Sequence, residues 1–376
     1  MTRQPTDAGT AAAHAGFALR LHHALAPPDG SGTACSPWSV SSALGALAPG
    51  ADDGTRHEIA RALGVGVDGL DRMAAQAHEV TRRPGTEGVE AALAVATTLW
   101  LDEEVTPRPD FTGALAGWPG ARVGSTAIQR DPEHARVEVN ADVAATTRGL
   151  VPEILPSGGL RSDDVAVLVN ALYLLEAWVE PFHAADTAPA PFHRPDGVTH
   201  VPTMRGAREV PYAHTDGWQY AALPLYHGLH AEVLLADAPL TEAERDLDGP
   251  ALDRLRAHAV QHRLTLSLPR FPVTGGGGLV GALQALGVRR LFERGAAPLP
   301  RVVQETAVFV SRAFHRAVLR VDERGVEGAA ATAMVMNPVM FQPMAAATMR
   351  VDRPFLVLVT HRNTGAVLFL ARVVDP

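Results

Sequence analysis

The chain has 376 residues, long enough for a large buried core, and its 47% hydrophobic and 20% charged content is that of a folded globular protein. Its net charge of −8 argues against a nucleic-acid or anionic-membrane partner. Lysine is absent, which excludes a Walker lysine, a Schiff-base lysine and a Ser-Lys dyad, and the single cysteine, Cys35, excludes an internal disulfide or a CxxC zinc site.

Residues 1–23 lack the apolar core of a signal peptide. A cytoplasmic location is therefore the expectation, or secretion if a leader was removed ahead of this numbering. Phe17, Leu21 and Leu25 recur every fourth residue, which predicts an amphipathic helix ending at Pro27-Pro28. The small, Ala-rich stretch 36–47 has no charged face and predicts a buried helix. Thr55-Arg-His-Glu58 reads as a capping box for a helix that Gly64 closes. The apolar run 91–101 predicts a buried strand. Residues 139–155 read as helix as far as Gly149 and Pro152, and 165–175 as a second apolar strand. The Pro- and Ala-rich patch 186–195 reads as a short loop.

Further on, 220–236 reads as two strands hinged at His227-Gly228, and 264–268 alternates as a strand. The glycines at 275–278 read as a loop before a helix at 279–286, and 308–321 as a strand. A hairpin is predicted from 355–359 and 367–374 across Asn363-Thr-Gly365. Helices dominate the first half and strands the second, with no βαβ rhythm. That is α+β with a mixed, largely antiparallel sheet. No repeat or linker divides the chain, so 1–376 is read as one domain.

Side-chain chemistry gives no positive support for an enzyme. His227 and His230, and likewise His22 and His23, lack a carboxylate at metal spacing and read as solvated histidines. His57-Glu58 lacks the second histidine of a zincin. The glycine run is not followed by Lys-Ser/Thr, no Gly-x-Ser-x-Gly elbow occurs, and the acidic residues are scattered. No cofactor or metal is expected.

The most informative stretch follows Gly325. Glu327 is the last charge before Arg350, and the residues between are uncharged, small or thioether-rich. Asn337-Pro338 and Gln342-Pro343 would break a helix or a central strand, and the segment is too interrupted to span a membrane. With period two, Val326, Ala330, Thr332, Met334 and Met336 share a mostly apolar face, while Glu327, Ala329, Ala331, Val335 and Asn337 share the other. This is an exposed loop with the side chains of a core strand. The alanines fit a surface helix equally well.

Several blocks together resemble the serpins, the serine protease inhibitor family. They are Ser36-Pro-Trp-Ser39, Asn170-Ala-Leu-Tyr173 with Trp178 and Pro181-Phe182, and Val201-Pro-Thr-Met204. They continue with Phe314-His-Arg-Ala-Val-Leu-Arg-Val-Asp-Glu-Arg-Gly325, Met349-Arg-Val-Asp-Arg-Pro-Phe-Leu-Val-Leu-Val359 and 368–376. The resemblance covers nearly the whole chain and points to an inhibitory serpin of prokaryotic type. It implies three β-sheets, eight or nine helices and an exposed reactive-centre loop at about 325–350. It also implies a polar "shutter" cluster at Ser36, Ser39, Asn170 and His315, and a "breach" where the loop joins the sheet at Trp178, Arg270 and Glu323. The hinge would be Gly325, Val326, Glu327, Gly328, Ala329, Ala330, Ala331, Thr332 and Ala333.

Family spacing from Glu323 puts the scissile bond between Val339 and Met340, or one residue on between Met340 and Phe341. The apolar residues there imply an elastase-like or subtilisin-like target, and the partner implied is a serine protease held in a covalent complex by a serpin monomer. A non-inhibitory serpin that binds or chaperones is the alternative. Two departures from the family pattern stand out: Ala96-Thr97-Thr98 where Ala-Asn-Ala is usual, and Asn140-Ala-Asp-Val143 where Asn-x-x-Trp-Val is usual. They put local stability and the gating of the sheet in question.

Overall fold

A computed structural model describes residues 8–82, 91–305, 307–326 and 346–376. The chain begins with α1 (Ala8–Leu25), β1 (Thr33–Cys35), α2 (Pro37–Leu47), α3 (Asp53–Leu63), α4 (Val67–Thr81) and β2 (Ala92–Asp102). Next come α5 (Pro109–Leu115), β3 (Ala121–Thr126), α6 (Pro132–Thr146), β4 (Ala166–Ala177), β5 (Ala188–Arg194) and β6 (Gly197–Thr215). They are followed by β7 (Trp218–Pro224), β8 (Leu229–Ala236), α7 (Leu240–Ala243), α8 (Gly249–His258), β9 (Val260–Pro269) and β10 (Phe271–Gly278). The last elements are α9 (Val280–Ala285), β11 (Arg312–Val321), β12 (Gly325–Val326), β13 (Ala346–Arg350), β14 (Phe355–His361) and β15 (Val367–Val373).

The strands form a six-stranded sheet, β10-β11-β12-β4-β2-β3, and a nine-stranded one, β1-β15-β14-β8-β7-β6-β9-β13 with β5 on β6. The long β6 joins two groups. Its end, 212–215, pairs with β7, while its earlier residues pair with β5 and β9. Counted by these groups the strands make three sheets, as expected for the α+β class. Most pairs are antiparallel; β2 with β3, β4 with β11 and β9 with β13 are parallel.

Strand β4 is buried along its whole length because both faces are covered. Leu168, Leu172 and Leu174 pack into the main core, Val167, Val169 and Ala171 pack under α6, and Tyr173 and Leu175 form a smaller cluster. Such a strand must read as a continuous apolar run. Helix α2 starts where Ser36 Oγ accepts the Ser39 N–H and Pro37 occupies the first turn, and every residue of it is buried.

Several local expectations are corrected. Thr55 does not cap α3: Asp52 does, accepting the Thr55 N–H at 2.7 Å, while the Glu58 carboxylate accepts the N–H groups of Arg289 and Arg290. Gly64 closes α3 in the left-handed conformation, as expected. Helix α6 begins at Pro132 and ends at Thr146, and β11 begins only at Arg312. The patch 186–195 is mostly β5, whose two prolines sit on an edge strand, where a missing N–H is tolerated.

The glycines at 275–278 are strand, not loop: they pair with residues 314–317 of β11. A Cβ on Gly275 would lie 2.1 Å from Ala34 N, so this glycine lets β1 cross close over β10.

Candidate functional site

The centre of the six-stranded sheet is the parallel pair β4–β11, in register from Val167 opposite Arg312 to Leu172 opposite Ala317. Beyond Leu172 the two strands are separated by β12. Val326 faces Val321 on one side and Glu176 on the other, and Gly325 faces Ala177. The sheet is thus closed at one end and already forked at the other. The chain reverses at Asp322, whose side chain accepts the N–H groups of Arg324 and Gly325 and whose own N–H donates to Gly325 O. Only glycine fits at 325, since a Cβ would sit 2.1 Å from Glu176 O.

Below the fork lies a buried polar cluster. The Ser36 N–H donates to His315 Nε2 at 2.9 Å, so the other ring nitrogen carries the proton, and Nδ1 donates to Asn170 Oδ1 at 2.8 Å. Ser39 Oγ also donates to Asn170 Oδ1. The amide Nδ2 donates to Thr97 Oγ1 at 2.8 Å and to Ser39 O at 3.3 Å. Burial pushes the His315 imidazole down to about 4, against the raising effect of the Asn170 backbone carbonyl. The ring is therefore neutral at pH 7, as a donor–acceptor role requires. The cluster ties α2, β2, β4 and β11 together at the closed end of the β4–β11 pair.

At the forked end, Trp178 is fully buried and its Nε1–H donates to Asp322 O at 2.8 Å. The Trp178 N–H donates to Arg324 O, and the Phe182 N–H to Glu323 O. The Glu323 carboxylate accepts Thr187 Oγ1–H at 2.6 Å and lies 3.5 Å from the half-exposed Arg270. Nearby, the buried Glu176 carboxylate of β4 lies 3.0 Å from His227 Nδ1.

The model of the family described as Serpin (serine protease inhibitor) matches residues 12–376. The chain belongs to the serpin family. A putative serpin-Z6C of rice (Oryza sativa subsp. japonica) is 33% identical, covering 91% of this chain and 90% of its own. The leukocyte elastase inhibitor of the horse (Equus caballus) is 30% identical over 96% of this chain and 97% of its own. Among solved structures, the thermophilic serpin tengpin in its native state has a TM-score of 0.86 at 22% identity, covering 100% of this chain and 96% of its own. Uncleaved ovalbumin has 0.84 at 21% identity, covering 98% and 100%. These two show the fold. The sequence relatives come from plants and animals and lend no support to the prokaryotic qualifier.

The structure brings Ser36, Ser39, Asn170 and His315 into one hydrogen-bonded cluster; Arg270 pairs with Glu323, and Trp178 bonds the adjoining turn at Asp322. Of the expected hinge, Gly325 and Val326 are in place; residues 327–333 and the expected reactive bond at Val339, Met340 and Phe341 lie outside the described residues. Four residues at these two places had no part in the sequence reading of the site: Thr97, Thr187, Glu176 and His227. Thr97 sits directly opposite Asn170 on β2, so the unusual Ala96-Thr97-Thr98 keeps an acceptor for the amide. Thr187 fell in the patch read as loop.

His227 and His22 are corrections, since both are buried beside carboxylates, Glu176 and Glu244. The available signal was Glu176 itself, a charge inside an apolar strand that requires a partner. In the second block the retained Asn140 accepts the N–H groups of Ile154 and Leu155 and donates to Leu155 O, holding that loop over α6, while Val143, where Trp is usual, is buried under the sheet among Val139 and Val151. Among the described residues no group of His, Cys, Asp and Glu is placed to hold a metal, and no helix is long and apolar enough to cross a membrane.

Proposed function

We propose that this serpin is a single-use inhibitor of a serine protease with a small-to-medium apolar pocket, elastase-like or subtilisin-like. The protease serine attacks the loop and forms an acyl-enzyme. Cleavage frees the hinge, which enters the central sheet as a new strand; in serpins such loop insertion is strand addition driven by the release of stored strain. Insertion that outruns deacylation carries the protease along and leaves the two covalently joined.

The observation that carries this reading is the register of β12. Each step forward from Val326 is a step back along both β4 and β11. Four steps on, Ala330 falls between Leu172 and Ala317; six steps on, Thr332 falls between Asn170 and His315. The one hydroxyl on the apolar face of the hinge thus meets the polar cluster, and small residues meet the core. Each inserted residue adds on the order of 1 kcal/mol of net hydrogen bonding. About a dozen such residues reach the scale of a whole domain's stability, so the uncleaved form persists by a kinetic barrier.

The test is to cut the loop with elastase and compare melting before and after, with the cut located by mass spectrometry. A large rise in melting temperature and a detergent-stable complex with the protease are expected. Equal melting of cut and uncut protein, with no such complex, refutes insertion and leaves a binding role on the same fold. The expected bond is Val339–Met340, or Met340–Phe341, and the expected protomer state is monomeric.

A further inference from the structure

The outward face of β6, β9 and β13 carries three arginines against one carboxylate. Its charged side chains are Arg205, Arg263, Arg350 and Glu209, all exposed. Ser267 of β9 stands between Arg205 and Arg350 in one cross-strand row, and Arg263 stands beside Glu209 in another. Strand spacing puts the Cα atoms of Arg205 and Arg350 about 10 Å apart, with Arg263 about 13 Å along β9 from that row. Arg270, just past β9, has Glu323 as partner, whereas among the described residues Arg205, Arg263 and Arg350 form no ion pair. A chain of net charge −8 therefore gathers unpaired cations on one sheet face.

The position of this face decides its occupant. Ala346, the first residue of β13, lies seven residues along the chain from Val339, with six residues between. That is at most about 25 Å of chain. A protease of about 250 residues is roughly 45 Å across. A protease seated on the expected bond is wide enough to reach across the face. We infer that Arg205, Arg263 and Arg350 form a docking surface for a serine protease whose rim around the apolar pocket is acidic. The surface selects among apolar-pocket proteases by rate of encounter, since steering by exposed charges raises association rates and fades with salt. The inference rests on the proposed inhibitory reading only for where the protease sits.

The test is the second-order rate of loop cleavage, a step shared by inhibitor and substrate pathways. The protein and its Arg205→Glu/Arg263→Glu/Arg350→Glu variant are cut by an acid-rimmed subtilisin, and by the same enzyme with its rim carboxylates amidated. Salt is set at about 0.01 M and about 1 M, where charges act over about 30 Å and about 3 Å. With the acidic enzyme at low salt the variant should be cut about tenfold more slowly or worse. The difference should close at high salt and with the amidated enzyme. An Arg→Gln triple variant should fall between the two, and unchanged melting of both variants shows the fold intact.

Equal rates for parent and variant at low salt overturn the inference, as does a difference that persists with the amidated enzyme, or an acidic enzyme that never cuts the loop. Heparin that binds the parent but not the variant, with cleavage rates equal, assigns the face to polyanions instead. The ratio of covalent complex to cleaved product reports insertion alone, so a failure of the inhibitory reading appears there and not in the rates.

Discussion

Asn170 and His315 face each other across the parallel pair β4–β11, and the imidazole Nδ1–H donates to the amide Oδ1 at 2.8 Å while Nε2 accepts the Ser36 N–H. The bond that Nε2 accepts needs a neutral ring, since protonation would set Nε2–H against the Ser36 N–H. Burial pushes His315 down from 6.5 to about 4. Because the folded value lies below the unfolded one, the unfolded chain binds more protons between them. The stability that neutral His315 supplies is complete above pH 6.5 and declines as pH falls; it is gone below about pH 4. The shift corresponds to about 3 kcal/mol. His14, which burial also takes to about 4, adds to the same acid loss. Denaturant unfolding between pH 7 and 4 should therefore show a shallower decline in His315→Gln than in the parent. An identical decline would place the acid sensitivity elsewhere.

Asn170 is the hub of the cluster, with three partner side chains satisfied through one amide. Asn170→Ala takes the side-chain partner from the buried Ser39 and Thr97 hydroxyls, and leaves the His315 N–H only the residue-170 backbone carbonyl at 3.2 Å. Each such orphan costs about 1–3 kcal/mol, so a loss of about 3 kcal/mol or more is expected. Thr97→Ala removes only the acceptor for Nδ2, and about 1 kcal/mol is expected. Urea titration at pH 7 measures both. Equal losses for the two would show that Asn170 is not the hub.

How much of this could be read from the chain follows from where each partner lies. Helix α2, the apolar strand β4 and the β14–β15 hairpin show their periodicity within a dozen residues, and the blocks resembling serpins placed the polar cluster and Trp178. The Glu176–His227 pair spans 51 residues and His22–Glu244 spans 222, so no local spacing announces them. The glycines at 275–278 read as a turn because glycine is its usual mark, whereas Gly275 is set by Ala34 crossing above it, a contact between distant segments. Asp52 went unrecognised as the cap of α3 because Thr55 and Glu58 make the same pattern three residues later.

The register of β12 makes a sharp statement about the hinge. On the proposed insertion, Ala330 would lie between Leu172 and Ala317, both buried in the main core. Ala330→Arg would carry a guanidinium into that site without a carboxylate, an uncompensated charge worth several kcal/mol against insertion. Every 1.4 kcal/mol is tenfold, so insertion should slow more than tenfold relative to deacylation. On a denaturing gel the covalent complex should vanish while cleaved serpin accumulates. Undiminished complex would contradict insertion in this register.

The glycine-rich end of β10 offers a test that separates tight packing from mere flexibility. A Cβ on Gly275 would lie 2.1 Å from Ala34 N and 2.2 Å from Ala34 O, whereas one on Gly278 meets nothing within 4 Å. Ala34 is backbone two residues ahead of Ser36, whose N–H bonds His315, so β1 cannot retreat without disturbing the polar cluster. Gly275→Ala should cost about 1–3 kcal/mol as an overpacking defect. It should also make the acid loss of stability shallower, because a looser Ser36–His315 bond favours the neutral ring less and narrows the gap between the folded and unfolded pKa. Gly278→Ala should stay within about 0.5 kcal/mol of the parent. If both substitutions proved neutral, the glycines would be an incidental run, and the close crossing of β1 over β10 would not be what holds Ser36 on the imidazole.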